Sequence, residues 1–190
     1  MDILYILTSI FLVLFMVLAT YDGFYLHLWK YKLYQHNESN FEHKTHTVRA
    51  ILFPIIVWSL LIENSLEFFV IGMVLTFVDL IVLGFDAYSE KDSRDFMGGL
   101  PRWEYIIHLF ANGFHYAIIA LTIGIKLSIV GNSIYYITAP ISTSLASNIL
   151  TIVAENAIPG AVILAFLHVF LLFQNTQNIW NSYRNRITCC

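Results

Sequence analysis

Long apolar runs alternate with short polar links along this sequence. Five runs are rich enough in Leu, Ile, Val and Phe to predict membrane-spanning helices, because a helix needs about 20 mostly apolar residues to cross a bilayer. These runs cover residues 3–20, 50–62, 66–84, 103–129 and 160–173. The pattern therefore predicts an all-α, polytopic integral membrane helix bundle of about five transmembrane helices.

Polar residues border the first two runs. The first run continues through Asp22 and His27 to an aromatic and basic exit at residues 29–32, which is typical of a membrane surface. The residues that begin at Ser39, S-N-F-E, have the form of a capping box, so we expect the second helix to begin there. Its first turns then carry Glu42, His43 and His46.

Segment 132–158 allows more than one interpretation. Residues 133–154 carry no charge but contain Pro140 and many Ser, Thr and Asn residues, which suits a re-entrant or surface segment as well as a sixth span. Basic residues favour five spans, because five spans with the N-terminus outside place nine of the ten Lys and Arg residues in the cytoplasm. We therefore expect the C-terminus to be cytoplasmic.

The composition is that of a membrane protein with a single transmembrane domain, residues 1–190. Hydrophobic residues make up 58% of the chain and charged residues 12%, and the mean hydropathy is +0.68. The charged fraction is about half that of an average soluble domain. The sequence has no basic patch, so we expect no nucleic-acid partner. The only cysteines, Cys189 and Cys190, exclude a disulfide framework within the chain.

One face of the fourth predicted helix is polar. Glu104 and His108 are four residues apart and His115 follows seven residues later, so the three side chains share one face of an otherwise apolar helix. Ionisable residues inside a span are costly to place there and indicate a functional site.

Other spans bring ionisable residues to the same end of the bundle, since successive spans alternate in direction. Asp86 and His108 are expected near the surface and Asp79 and His115 about 10 Å deeper, which makes two matched layers. The first and second spans contribute Asp22, His27, Glu42, His43 and His46 at that end.

Imidazole and carboxylate groups from several helices are ligands that iron, zinc and manganese take in helix bundles. A divalent cation would also neutralise carboxylates that are expensive at membrane depth. We therefore predict one or two transition-metal ions as the cofactor. The predicted ligands are Asp22, His27, His43, His46, Asp79, Asp86, His108 and His115, with Glu42 and Glu104 as catalytic proton carriers or further ligands.

Common metal motifs are absent from the sequence. It has neither the HExxH zinc motif, nor the Glu-x-x-His pairs of ferritin-like bundles, nor the repeated histidine boxes of membrane desaturases. Structural roles also fit some of these residues: Glu42 and Glu104 favour helix N-termini, and Asp79 suits an ion pair with Arg49 or Arg102. His168, alone in the last run, is either a core hydrogen-bonder or a partner of the ligands.

Three functions fit this pattern. The first is a membrane metal-dependent enzyme near the cytoplasmic leaflet that acts on a lipid or other hydrophobic small molecule, by iron-type oxidation or zinc-type hydrolysis. The second is a non-catalytic subunit or assembly factor whose buried polar network docks a membrane-protein partner. The third is a b-type haem carrier with axial ligands among His108, His115 and His168.

Segments such as DGFYLHLWKYKL and EHKTHTVRAILFP resemble those of small bacterial inner-membrane proteins, so we expect that membrane as the location.

Overall fold

The computed structural model describes residues 1–137 and 144–188 and is 83% helical. The helices are α1 Asp2–Ala19, α2 Asn40–Val57, α3 Leu66–Ser93, α4 Arg102–Lys126, α5 Leu145–Phe170 and α6 Gln174–Thr188. A hairpin of two antiparallel strands, β1 Leu127–Val130 and β2 Ser133–Tyr136, follows α4. π-helical turns extend α1 over Thr20–Lys30 and α2 over Trp58–Ile62.

Within residues 1–137 and 144–188, five helical segments are long and apolar enough to cross a membrane, in agreement with the number predicted from the sequence. Large apolar side chains cover the outside of the bundle. Phe77 on α3 and Leu109 on α4, for example, expose 63% and 59% of their surface. Such an apolar exterior suits contact with lipid and is consistent with an integral membrane protein.

Two segment boundaries differ from the sequence-based prediction. α3 does not end at Gly84 but continues to Ser93, because the polar residues that follow Gly84 make contacts inside the bundle. Segment 132–158 is neither one re-entrant segment nor one span: β2 ends at Tyr136 and α5 begins at Leu145. Pro140 lies outside the described residues.

Ser39 precedes α2, but its side chain makes no capping bond within that helix, so the predicted capping box is wrong. The Ser39 hydroxyl instead donates to the carbonyl oxygen of Ser93 at 2.7 Å. Glu42 turns into the bundle, where the Ser93 hydroxyl and Arg94 donate to its carboxylate. These polar contacts join the start of α2 to the end of α3.

The spanning helices form an incomplete ring. α4 packs against α1, α1 against α5, α5 against α2, and α2 against α3. Gly72 allows α3 to approach the end of α2 closely, since a Cβ atom at this position would lie 2.5 Å from Cδ2 of Leu60. Within the described residues α3 and α4 lack comparable backbone packing and meet through side chains such as Asp79 and Tyr116, so the ring is packed least closely between these two helices.

The two ends of the bundle differ in character. At the end that holds the start of α1, an apolar core is built from residues including Tyr5, Leu12, Val57, Ile118 and Leu150. At the other end the buried side chains include aspartate, glutamate, histidine and arginine. The prediction that the ionisable residues of the first four spans gather at one end is confirmed.

Candidate metal centre

The π-helical end of α1 brings Asp22 and His27 together. These residues are five positions apart, which an α-helix would place on different faces, whereas the i to i+5 hydrogen bonding of a π-helix stacks them. Asp22 Oδ1 lies 3.3 Å from His27 Nε2, and the side chain of His27 is fully buried. The change of helix type therefore builds one corner of the site.

Arg94 lies at the centre of the polar end and is fully buried. Its guanidinium donates to Glu42 at 2.6 and 3.0 Å and to Glu104 at 2.5 and 2.9 Å, so that one cation binds a carboxylate from α2 and one from α4. Its Nη2 is also 3.2 Å from His27 Nε2. Arg94 thus fixes the positions of three residues that the sequence identified as site candidates.

Two further histidines face carboxylates around this centre. His46 Nε2 is 3.2 Å from Asp86 and 3.7 Å from Glu42. His108 Nε2 is 2.9 Å from Asp22, and its Nδ1 contacts Glu90. The predicted pairing of Asp86 with His108 is therefore wrong. On α3 it is Glu90, one helical turn beyond Asp86, that contacts His108, while His46 on α2 pairs with Asp86.

Asp79 and His115 form a deeper layer, as the sequence predicted. His115 Nε2 lies 3.3 Å from Asp79 Oδ2. Arg49 donates to Asp79 at 3.1 Å and the Tyr116 hydroxyl donates to it at 3.1 Å, while Arg49 also donates to Asn112 at 2.8 Å. Of the two ion pairs that the sequence allows for Asp79, the structure forms the one with Arg49.

A cavity of about 130 Å³ lies between the two layers and is lined by all five spanning helices. Its volume accommodates several water molecules, since one water needs roughly 10–15 Å³ of such space. The polar wall includes Asp22, His46, Asp86, His108 and His115, and the apolar wall includes Phe15, Met16, Phe53, Leu83 and Leu164. One chamber therefore combines possible metal ligands with a surface for an apolar molecule.

Two sets of side chains have the spacing of metal ligands. Asp22, His27, Glu104 and His108 each place one donor atom within 4.8 Å of the others, and so do His27, Glu42 and His46. Donors bound to one ion at about 2.0–2.2 Å lie about 2.9–3.6 Å apart. The Asp22 separations of 2.9 and 3.3 Å fall in this range, and those of Glu42 from His46 and His27, 3.7 and 3.8 Å, lie just above it.

One carboxylate oxygen in the first set has no partner. Glu104 accepts both Arg94 hydrogen bonds on Oε1, whereas its buried Oε2 has no hydrogen-bond partner. An unsatisfied buried carboxylate oxygen is rare in proteins and marks a place for a water or an ion. The donor set therefore fits a cation without requiring that Glu104 give up Arg94.

The charges of the site favour the same interpretation. Six carboxylates at this end face two guanidinium groups, those of Arg49 and Arg94, which leaves four negative charges when the histidines are neutral. The carboxylates belong to Asp22, Glu42, Asp79, Asp86, Glu90 and Glu104. Unpaired charge at membrane depth is costly, and two divalent cations would cancel this excess.

The structure therefore sorts the ten predicted site residues into three groups. Two form the deeper pair, Asp79 and His115, and His43 stands apart, stacked on His168 with ring centroids 5.4 Å apart. The other seven surround Arg94 or the adjoining cavity: Asp22, His27, Glu42, His46, Asp86, Glu104 and His108.

Sequence reasoning missed the roles of Arg94 and Glu90. Both lie in a charged stretch that reads as a solvated loop, and arginine is rarely fully buried. The sequence does show an excess of carboxylates at one end of the predicted bundle. This excess indicates that a buried cation is needed there. Nothing in the local sequence separates Arg94 from Lys91 as that cation.

Comparison of the chain with protein-family models, with curated proteins and with solved structures gave no match in any of the three. The function of the chain is therefore inferred from the geometry and charge of this site.

Proposed function

We propose that this protein is an integral-membrane, metal-dependent enzyme that acts on a lipid or another hydrophobic molecule. The observation that supports this most strongly is the convergence of imidazole and carboxylate donors from α1, α2 and α4, at the spacing of metal ligands, beside a cavity with an apolar wall. One or two ions of iron, zinc or manganese bind there. The proposed ligands are Asp22, His27, Glu42, His46, Glu104 and His108.

Arg94 acts in this proposal as a positioning residue. It holds Glu42 and Glu104 through charge-assisted hydrogen bonds, which are stronger and more directional than neutral ones. The unpartnered Oε2 of Glu104 stays available to a metal ion or to a proton from a bound water. The two glutamates thereby keep the proton-carrying role expected from the sequence.

The loose packing between α3 and α4 favours a substrate from the bilayer. α3 and α4 both line the cavity, and side-chain contacts such as that of Glu90 with His108 bridge these two helices in place of close packing. An acyl chain or similar apolar group can enter the cavity sideways from lipid.

The identity of the metal sets the reaction class. Zinc would lower the pKa of a bound water and so supply the nucleophile for hydrolysis of an ester or amide, which would make the protein a hydrolase. Iron would support oxidation of the substrate by dioxygen, with electrons from an external reductant. In both cases the residues of this chain would hold the metal and accept or return the proton.

Positive charges support an orientation with the N-terminus outside and the site near the cytoplasmic leaflet of a bacterial inner membrane. A reporter domain fused after Cys190 is then expected to report the cytoplasm, and one inserted between β1 and β2 is expected to report the outside. Topology is measured by comparing a reporter active only in the cytoplasm with one active only outside. The reverse pattern at both positions would move the site to the other leaflet, whereas reversal at one position alone would change the number of spans.

Metal content is the direct test of the proposed function. Detergent-purified protein is expected to retain about one to two equivalents of a transition metal, because preorganised ligands come from three helices. His46→Ala and His108→Ala each remove one donor and should lower the metal content of the purified protein. His36→Ala is the matched control, since His36 stacks on Phe96 outside the site and its loss should leave the content unchanged. Elemental analysis of the parent and the three variants measures this.

Two other results would point to different functions. A protein that folds but stays metal-free, even after reconstitution with iron, manganese and zinc, would overturn the enzyme proposal and favour a subunit whose polar network docks a membrane partner. An intense Soret absorption band in the purified protein would favour a haem carrier.

A further inference from the structure

A second cavity, which we call the vestibule, lies beside the metal-site end of the bundle. It has a volume of about 470 Å³ and is bordered by the link before α2, the start of α2 and the first turns of α6. Seven of its eleven lining residues carry a carboxamide side chain, among them Asn40, Asn178 and Asn181. Such a wall of neutral donors and acceptors suits water.

The hydrogen bonds around the vestibule show that its walls are held in place. The Tyr34 hydroxyl donates to Asn181 at 2.8 Å, and Gln177 donates to the carbonyl oxygen of Leu171 at 2.8 Å. Burial raises the pKa of Tyr34 to about 12, so its hydroxyl stays neutral. Helix α6 is thereby fixed against the link that precedes α2, and the vestibule is a fixed polar space.

His43 forms the floor of the vestibule and is 1% exposed. Among the residues that the structure describes, neither of its ring nitrogens has a hydrogen-bond partner. Behind it lies His168, whose ring stacks on that of His43 at 5.4 Å and whose Nδ1 also lacks a hydrogen-bond partner. His168 in turn lines the cavity of the metal site and lies 6.5 Å from the ring of His46.

Three imidazoles therefore lead from a polar space near the surface to the buried site. Buried ring nitrogens without partners are costly, and the usual remedy is water. His43 borders the vestibule and His168 borders the site cavity, so water at these nitrogens would link the two spaces. Elsewhere the cavity wall includes apolar residues such as Phe53 and Leu164, which offer water no hydrogen bonds.

We propose that the vestibule and the His43–His168 pair form an aqueous entrance to the buried site, through which water and small hydrated cations pass. The entrance lies between α2, α5 and α6, away from the loosely packed side between α3 and α4. Its existence does not depend on whether the buried residues bind metal, because it is defined by the two cavities and the histidines between them. A hydrophobic molecule and water would then reach one chamber by separate routes.

Thiol labelling of metal-free protein tests this entrance. The reporter is Ala161→Cys in a chain whose two natural cysteines are replaced by serine, since Ala161 is 5% exposed and lines the site cavity. The reagent is 2-aminoethyl methanethiosulfonate, whose ammonium group is attracted to the carboxylate-rich site. The labelling rate is followed by mass spectrometry of protein in lipid vesicles.

Two substitutions of His43 are expected to change the labelling rate in opposite directions. His43→Ala opens the floor and should raise the labelling rate about tenfold, whereas His43→Phe fills it with an apolar ring and should lower the rate about tenfold, each a change in barrier of about 1.4 kcal/mol. Asn178→Trp narrows the vestibule and should also slow labelling. Ile179→Trp is the matched control, because Ile179 is the next residue of α6, is 51% exposed and does not line the vestibule; its rate should equal that of the reporter alone.

Equal labelling rates in all of these variants would overturn the proposal, because reagent would then reach Ala161→Cys from the lipid side. Absence of labelling even with His43→Ala would overturn it as well. If a His43 variant fails to fold, the labelling rates of Asn178→Trp and Ile179→Trp still test the entrance. Both positions are exposed on α6, so we expect both tryptophan variants to fold. The labelling experiment measures access to a thiol in metal-free protein, so it does not depend on metal binding. The aqueous entrance can therefore be disproved while the metal-dependent function stands, and the function can be disproved while the entrance stands.

Discussion

Replacing Arg94 by methionine is expected to lower the free energy of unfolding by about 3–5 kcal/mol, a larger loss than most single substitutions cause. Arg94 is fully buried and binds Glu42 and Glu104, which are also fully buried. Methionine fills much of the same volume but brings no charge. Two carboxylates would then remain in the interior without their cation, and the cost of an uncompensated buried charge is what makes the loss large.

The effect is measured as the shift in the denaturation midpoint of chelator-treated protein in detergent, followed by tryptophan fluorescence. Arg102→Met is the matched control, because Arg102 is exposed in the first turn of α4 and its loss should change stability by no more than about 0.5 kcal/mol. Adding Glu42→Gln and Glu104→Gln to Arg94→Met removes the unpaired charges and should restore part of the stability. A variant without Arg94 that is as stable as the parent would show that the two glutamates are neutral in the folded protein.

Removing the proposed metal is expected to have the second largest effect. An ion that binds the folded chain and not the unfolded one stabilises it by about 4 kcal/mol when the free ion is at 1,000 times its dissociation constant. The stabilisation is large here because the ion would cancel negative charge that is otherwise buried among Asp22, Glu42 and Glu104. Chelation should therefore lower the denaturation midpoint of the parent protein.

The double variant His46→Ala, His108→Ala provides the comparison for chelation. It lacks one donor from each of the two ligand sets, so a chelator should change its midpoint little. Equal shifts in the parent and the double variant would mean that the chelator acts elsewhere on the chain. No shift in a parent protein that demonstrably contains metal would place that metal outside the folded core.

The sequence predicts the five spans and the depth of the ionisable residues because both depend on position along a helix. Asp79 and His115 meet as depth alone predicts. The predicted pairing of Asp86 with His108 is wrong by about one helical turn, because His108 contacts Glu90, four residues beyond Asp86 on α3. The ring order puts α2 beside α3, so Asp86 meets His46, while His108 meets Asp22 across the contact between α4 and α1.

Other features of the site depend on local structure that the sequence does not indicate. Asp22 and His27 share a face only because the end of α1 is π-helical, and a helical wheel with 3.6 residues per turn separates them. Arg94 directly follows α3, which continues nine residues past the end of its apolar run at Gly84, so a charged stretch that reads as a loop supplies the central cation. The hairpin of β1 and β2 escapes prediction because its strands are short and continue the apolar run of α4.

X-ray absorption at the edge of the retained metal tests the central claim most directly, because it identifies the ligands as well as the ion. We predict nitrogen and oxygen neighbours at about 2.0–2.2 Å, with the outer-shell scattering of imidazole and no sulfur. The imidazole signal should weaken in His108→Ala and stay unchanged in His36→Ala. A spectrum dominated by sulfur at about 2.3 Å would assign the metal to Cys189 and Cys190 at the end of the chain and would contradict a metal centre among the helices.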